Sequence, residues 1–247
     1  MVKRIVTLAC FLIISSRIWA ETPFRLSTGD HWPPYVSSDL KHYGLYSRIT
    51  TEAFKLVGVE VEYDFYPWAR SVKMAKLGKA DGTGFWVRSP ERERDFYFSD
   101  PIHTEVMLLY HHKSYLFDWD TLEDLKGIHI GVTRGYSYGE EFDNAVKSGE
   151  LKVQIVRKDE LNFKKILAGR IDIFPYNKRA GYYMLRQLFQ AEDAILLTYH
   201  QKPISSFTLH LLFSKNIESK RYLKLFNEGL KRLKASGKYD QYLSEYK

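Results

Sequence analysis

Of the 247 residues in this chain only one is cysteine, Cys10. A lone thiol excludes a disulfide framework and any Cys-x-x-Cys metal site. Long apolar runs are missing after the first twenty residues, which excludes a multi-span membrane protein. The eight histidines fit no His-Glu-x-x-His or paired-ligand spacing, and His111-His112 would point to opposite faces of a strand. Neither a phosphate-binding loop nor a dinucleotide fingerprint occurs. There is no linker, internal repeat or low-complexity tract, and the lysines are spread through the chain rather than gathered into a stripe. What is present is a globular composition, 45% hydrophobic and 27% charged, with a mean hydropathy of −0.36. Such a chain can bury a core, and intrinsic disorder is excluded. Its 29.1 kDa allows one large domain or two small ones. Aromatics are in excess at 15%. The formal charge of +7 and a pI of about 9.2 raise the question of nucleic acid.

Residues 1–20 form an address rather than part of the fold. Lys3 and Arg4 make a basic start, Ile5 to Ile14 is apolar, and the segment closes on the small residue Ala20. This is the three-part pattern of a secretory signal peptide cleaved near Ala20, and its apolar part is too short to span a bilayer. Cys10 sits too early for a lipid-attachment site, and Thr7-Leu8-Ala9 is a poor match to one. Cleavage removes Lys3, Arg4 and Arg17 and no acid, which lowers the net charge by three and weakens the nucleic-acid reading. The cysteine leaves as well, so the exported chain, expected in the periplasm without stable membrane insertion, must be held by its core alone.

From Phe24 onward strand and helix signals alternate. Phe24 to Thr28 predicts a strand, and Gly29 to Tyr35 an irregular loop. Leu45, Ile49, Ala53 and Leu56 recur at helical spacing over Gly44–Val57. Val59, Val61, Tyr63 and Phe65 alternate as in a strand. Pro67 opens a helix carrying Trp68, Val72 and Ala75 on one face, and Ala80 to Phe85 predicts a strand. A second series follows: strand Ile128–Thr133, helix Glu140–Lys147, strand Val153–Val156, a helix capped by Asp159, strand Ile171–Phe174 and helix Asn177–Phe189. The last long helix carries Leu223, Phe226, Leu230 and Leu233, and a tail helix carries Tyr239, Tyr242 and Tyr246. Two successive β-α-β series predict an α/β protein of two lobes, each a mainly parallel sheet flanked by helices. Glu105–Lys113 and Leu196–Phe213 are strand-like and suit the two hinge crossings. The expected division is 21–109 plus 198–247 for a discontinuous first lobe and 110–197 for the second.

Three local patterns bear on chemistry. Gly135-Tyr136-Ser137-Tyr138-Gly139 fits Gly-x-Ser-x-Gly between a strand and a helix, the context of a nucleophile elbow, with Asp172 or Asp193 and His200 or His210 following in triad order. The same residues also suit a tight turn whose hydroxyl caps the next helix, or a helix N-terminus offering N–H groups to an anion. Second, Arg88, Arg92 and Arg94 lie between a strand end and an aromatic run. They fit a solvated helix with Glu91–Arg94 pairing, or an arginine turned inward to grip a carboxylate bidentately. Third, Trp32, Tyr35, Trp68, Phe85, Trp86 and Tyr136 put ring faces in loop and turn positions, where they can line a cleft.

Four segments together resemble a known family. They are Ser27-Thr-Gly-Asp-His-Trp-Pro-Pro-Tyr35; Gly78-Lys-Ala-Asp81 running to Arg92 and Phe98-Ser-Asp-Pro101; Asp124-Leu-Lys-Gly-Ile-His-Ile-Gly-Val132; and Leu167-Ala-Gly-Arg-Ile-Asp172 with the tail Phe226-Asn-Glu-Gly-Leu230 and Leu233-Lys-Ala-Ser-Gly-Lys-Tyr239. In order and spacing they resemble the bacterial extracellular solute-binding proteins of the polar amino-acid type (family 3), of the type II periplasmic binding protein class. The resemblance implies a two-lobed clamp that closes on a small solute, with an ABC transporter permease as partner, no cofactor, no metal and a monomeric chain. It implies that Arg92 grips the ligand carboxylate, that Trp32 stacks on the ligand, and that Trp68 lines the cleft with it. Tyr35 belongs to the same loop. It further implies that Gly84, Phe85 and Trp86 offer backbone groups, and that the turn at Tyr136 and Ser137 donates to the same carboxylate. Two positions depart from the pattern. Asn177 stands where the family usually has an acid for the ligand α-ammonium, and Trp86 replaces a usually smaller residue. The resemblance leaves open a dehydratase on the same fold acting on cyclic prephenate-like acids, and a sensor that presents ligand occupancy to a receptor. The Ser137 hydrolase is the alternative from the residues themselves.

Overall fold

The computed structural model describes residues 22–245; the expected leader, Cys10 and Tyr246 lie outside the described residues. Strand β1 (Phe24–Gly29) buries nearly all of its length, because both its neighbours are parallel strands and helices cover the sheet's faces. It is followed by α1 (Leu45–Lys55), β2 (Val61–Tyr66), α2 (Trp68–Lys76) and β3 (Gly82–Trp86). A short helix α3 (Pro90–Asp95), strand β4 (Phe96–Phe98) and the long strand β5 (His103–His112) complete the first pass. The second series is β6 (Ile130–Thr133), α4 (Glu140–Ser148), β7 (Val153–Val156), α5 (Asp159–Leu167), β8 (Ile173–Asn177), α6 (Lys178–Leu188) and α7 (Ala191–Ala194). The chain returns through β9 (Leu197–Ser214) and ends in α8 (Ile217–Ala235) and α9 (Lys238–Ser244).

The strands follow the order β2-β1-β3-β9-β5-β8-β6-β7, with β4 also on β9. β1, β2 and β3 pair in parallel in one lobe, and β6 pairs in parallel with β7 and β8 in the other. The fold is thus α/β and two-lobed. The lobes are joined by the antiparallel pair β5 and β9: β9 pairs with β3 and β4 at its end and with β5 along most of its length, while β5 pairs with β8 from Met107 to His111.

Each lobe has its own aromatic core. Phe24 packs on Phe54, Phe213 and Tyr222 at 4.8, 5.5 and 5.0 Å between ring centroids. In the other lobe Phe163 meets Tyr110, Phe174 and Tyr176 edge-on. Helix α8 buries Tyr222, Phe226, Leu230 and Leu233, while Tyr239 and Tyr242 of α9 are buried beside it.

Three expectations shift. Asp159 is the first residue of α5 rather than its cap, which is Lys158. Strand β8 begins at Ile173 and runs on through Pro175 to Asn177, leaving Asn177 as the cap of α6. A proline inside a run usually ends a strand, but here β5 holds the strand by pairing on to Met107↔Asn177. Glu91 and Arg94 do not pair; the ion pairs of that segment are Arg88–Glu93 and Lys76–Asp95.

Candidate functional site

A cavity of about 290 Å³ opens between the lobes. The first lobe lines it with Trp32, Trp68, Phe85, Trp86 and Arg92, and the second with Tyr136, Ser137 and Asn177. Met107, Phe207 and Leu209 of the crossing strands form part of its wall, joined by His31 and Val87. A larger hollow of about 710 Å³ lies by Trp119, Asp120 and Lys202 and gathers none of the predicted site residues.

The three tryptophans pack edge to face. Trp68 meets Trp32 at 5.9 Å and Trp86 at 5.2 Å. Gly29 makes this possible, since a Cβ there would stand 2.0 Å from the Trp68 ring. Trp86 is fixed by its indole N–H, which donates to Thr83 Oγ1 at 3.0 Å. Its direction comes from Phe85, which adopts φ 95° at a register break between Gly84 and Trp86 in the pairing with β9. A left-handed Phe costs roughly 1–3 kcal/mol, offset by burial of its ring, which is 2% exposed. The bulge turns the end of β3 toward the cavity.

Arg92 lies in α3, where the Ser89 hydroxyl accepts its backbone N–H. Its guanidinium donates to the Val87 carbonyl at 3.0 Å and lies 4.8 Å over the Trp86 ring. No carboxylate among the described residues forms an ion pair with it. Burial lowers its pKa, but a guanidinium stays protonated. The wall therefore presents an unpaired, partly desolvated cation.

On the facing lobe the Ser137 hydroxyl donates to Asp143, which also accepts the Tyr138 N–H at 3.0 Å. Tyr136 and Tyr176 donate their hydroxyls to Asp159 at 3.2 and 2.8 Å. Gly139 caps α4 without a side chain, and its bare Cα lets Ser205 of β9 approach and donate to the Tyr138 carbonyl at 2.7 Å. The triad order does not become a triad. Asp172 is bonded to His129, His200 to Asp118 and His210 to the Ser99 carbonyl, and none of them meets Ser137. Asn177 is 5% exposed and its Nδ2 finds no hydrogen-bond partner.

Eight of the ten predicted site residues thus line one cavity, while Tyr35 and Gly84 do not. Tyr35 is fully buried, stacked on Tyr46 at 4.6 Å and supporting Trp32 from behind at 4.8 Å. Gly84 faces the interior, where a Cβ would touch Leu211 at 3.1 Å. Met107, Phe207 and Leu209 escaped prediction because only the pairing of β5 with β9 brings them to the cavity. Also unforeseen is a buried network at the crossing. Glu105 accepts hydroxyls from Tyr35 and Tyr46 and lies 4.0 Å from Arg179 and 3.8 Å from His103. Burial pushes the Glu105 carboxyl up, against the opposing pull of the two tyrosines and Arg179.

The family model of bacterial extracellular solute-binding proteins, family 3, matches residues 24–247. A search of curated protein sequences finds no match. Among solved structures, an ancestral cationic amino-acid solute-binding protein is similar at 22% identity and a TM-score of 0.72, covering 91% of this chain and 95% of the other. Substrate-binding domain 2 of GlnP from Lactococcus lactis, in an open conformation, is similar at 18% identity and 0.70, covering 90% and 94%. A histidine kinase sensor domain similar to periplasmic binding proteins matches at 18% and 0.69, covering 91% and 95%. These likenesses are of fold.

Proposed function

The chain belongs to the bacterial extracellular solute-binding proteins, family 3, and from that premise we propose that it captures a small carboxylate-bearing solute, an amino acid or a related molecule, for ABC-type import. The observation that carries this reading is Arg92: a half-buried cation on the wall of an inter-lobe cavity, with no carboxylate of its own among the described residues. A fork of N–H donors beside a tryptophan face suits a planar carboxylate and discriminates against uncharged solutes. Three indoles and Phe85 supply apolar contact for the rest of the molecule. Binding rather than turnover is favoured by Ser137, whose hydroxyl donates to Asp143 and, among the described residues, makes no hydrogen bond with a histidine. In this reading the chain is exported by residues 1–20, works in the periplasm as a monomer and hands its ligand to a permease.

Calorimetry with a panel of small carboxylates tests it. Arg92→Ala should weaken whichever carboxylate binds by about 30- to 150-fold, the loss of a charge-assisted pair worth roughly 2–3 kcal/mol. Arg92→Lys should recover only part of that, since an ammonium cannot form the fork. Unchanged affinity in Arg92→Ala would sink the proposal.

A further inference from the structure

The polarity of the cavity is one-sided. Its wall holds one permanent charge, that of Arg92, and no aspartate or glutamate. The acids of the second lobe stand one layer back: Asp143 holds Ser137 and Tyr138, and Asp159 holds Tyr136 and Tyr176. At the end of β8 the polar group offered is instead the neutral amide of Asn177, buried, with its Nδ2 unpartnered. A zwitterionic amino acid would bring its ammonium into a ring-lined space where no wall carboxylate meets it, and an unpaired buried charge is strongly disfavoured. A free amide N–H calls for an acceptor oxygen, which an α-oxo or α-hydroxyl group supplies and an ammonium does not. A cavity of about 290 Å³ admits one small molecule, so Arg92 and Asn177 act on the same ligand.

We infer that the cleft selects an aromatic or bulky apolar monocarboxylate bearing an oxo or hydroxyl oxygen, rather than an ammonium, on the carbon next to the carboxylate. This rests on the carboxylate-capture reading above and narrows it. Arg92 takes the carboxylate, Asn177 donates to the α-oxygen, and the rings at Trp32, Trp68 and Trp86 receive the apolar body. Asp159 stands behind the wall, where Tyr136 and Tyr176 donate to its Oδ2. Its buried Oδ1, without a partner, is the acid oxygen near this lobe's wall that an ammonium would have to reach past the rings to meet.

Matched sets by calorimetry decide the matter: phenylpyruvate, phenyllactate, 3-phenylpropionate and phenylalanine, then 4-methyl-2-oxopentanoate against leucine. The expected result is that the 2-oxo or 2-hydroxy acid binds at least tenfold tighter than the amino acid of the same skeleton. Asn177→Ala should bring it down to the affinity of the acid lacking an α-substituent. Asn177→Asp should shift the ratio at least tenfold toward the amino acid. Equal or tighter binding of the amino acid overturns the inference, and loss of that preference in Asp159→Asn would identify the acid responsible. In that outcome carboxylate capture still stands if Arg92→Ala weakens the amino acid. Binding of none of the six compounds also overturns the inference. Carboxylate capture itself fails only if no carboxylate in the wider panel binds with dependence on Arg92.

Discussion

His103 shows how much a single side chain can report. Its ring sits where β5 leaves the first lobe, with Nδ1 2.8 Å from the Tyr239 hydroxyl and Nε2 3.0 Å from Arg179. Tyr239 donates onward to the Ile102 carbonyl, so the consistent arrangement is a neutral imidazole that donates from Nδ1 and accepts from Arg179 at Nε2. Burial, Arg179 and Lys234 hold its pKa down at about 4, against an ordinary 6.5. Between these values the unfolded chain takes up a proton that the folded chain refuses, so stability falls as pH drops through that window. Solvent reaches part of the ring, which limits the effect to about 1–2 kcal/mol. Glu105 acts in the opposite sense, because burial raises its carboxyl and the folded state gains stability as it protonates. Comparison with His103→Gln isolates the histidine. The melting temperature of the parent should fall more steeply from pH 6.5 to 4 than that of the variant, and parallel curves would refute this account.

Among the helices, α1 and α8 make the most extensive contact, and glycine sets their distance. A Cβ on Gly229 would stand 2.0 Å from the Ala53 carbonyl oxygen. In an exposed helix Gly→Ala gains about 1 kcal/mol from backbone entropy. Here the added methyl must push two helices apart over the Phe54–Phe226 contact, so Gly229→Ala should instead destabilise by roughly 1–3 kcal/mol. Chemical denaturation measures this directly, and a variant as stable as the parent would show that the helices separate freely. The apolar stripe of α8 was legible in the sequence from Phe226, Leu230 and Leu233 at helical spacing. The glycine between them carried no such signal, because the meaning of a missing side chain depends on what approaches it.

For the whole molecule, the proposed capture of a solute between the lobes would make binding and lobe closure one equilibrium. Both lobes and both crossing strands supply the cavity wall, so a ligand that touches all of them stabilises the conformation that brings them together. At a hundredfold excess over its dissociation constant it should add about 2.7 kcal/mol to unfolding. The melting temperature should rise and the radius of gyration by small-angle scattering should fall together. A ligand that raises the melting temperature without compaction would mean that it engages one lobe alone.

By itself the sequence determined the α/β class, most strand and helix positions, and the family, because side-chain periodicity and short turn motifs are local and survive without neighbours. It also marked Arg92, Trp32, Trp68, Trp86, Tyr136, Ser137 and Asn177, each at a strand end or in the segment that follows one. Tertiary structure alone decided which rings face the cavity. Tyr35 and Trp32 are three positions apart in one loop, yet one is sealed against Tyr46 and Glu105 while the other lines the wall. It decided the fate of the Gly-x-Ser-x-Gly turn, whose serine answers to Asp143 rather than to a histidine. It also brought Met107, Phe207 and Leu209 into the wall, and Glu105 beneath it, through the pairing of β5 with β9. That pairing joins segments about a hundred residues apart, whose contacts exist only once the chain has closed on itself.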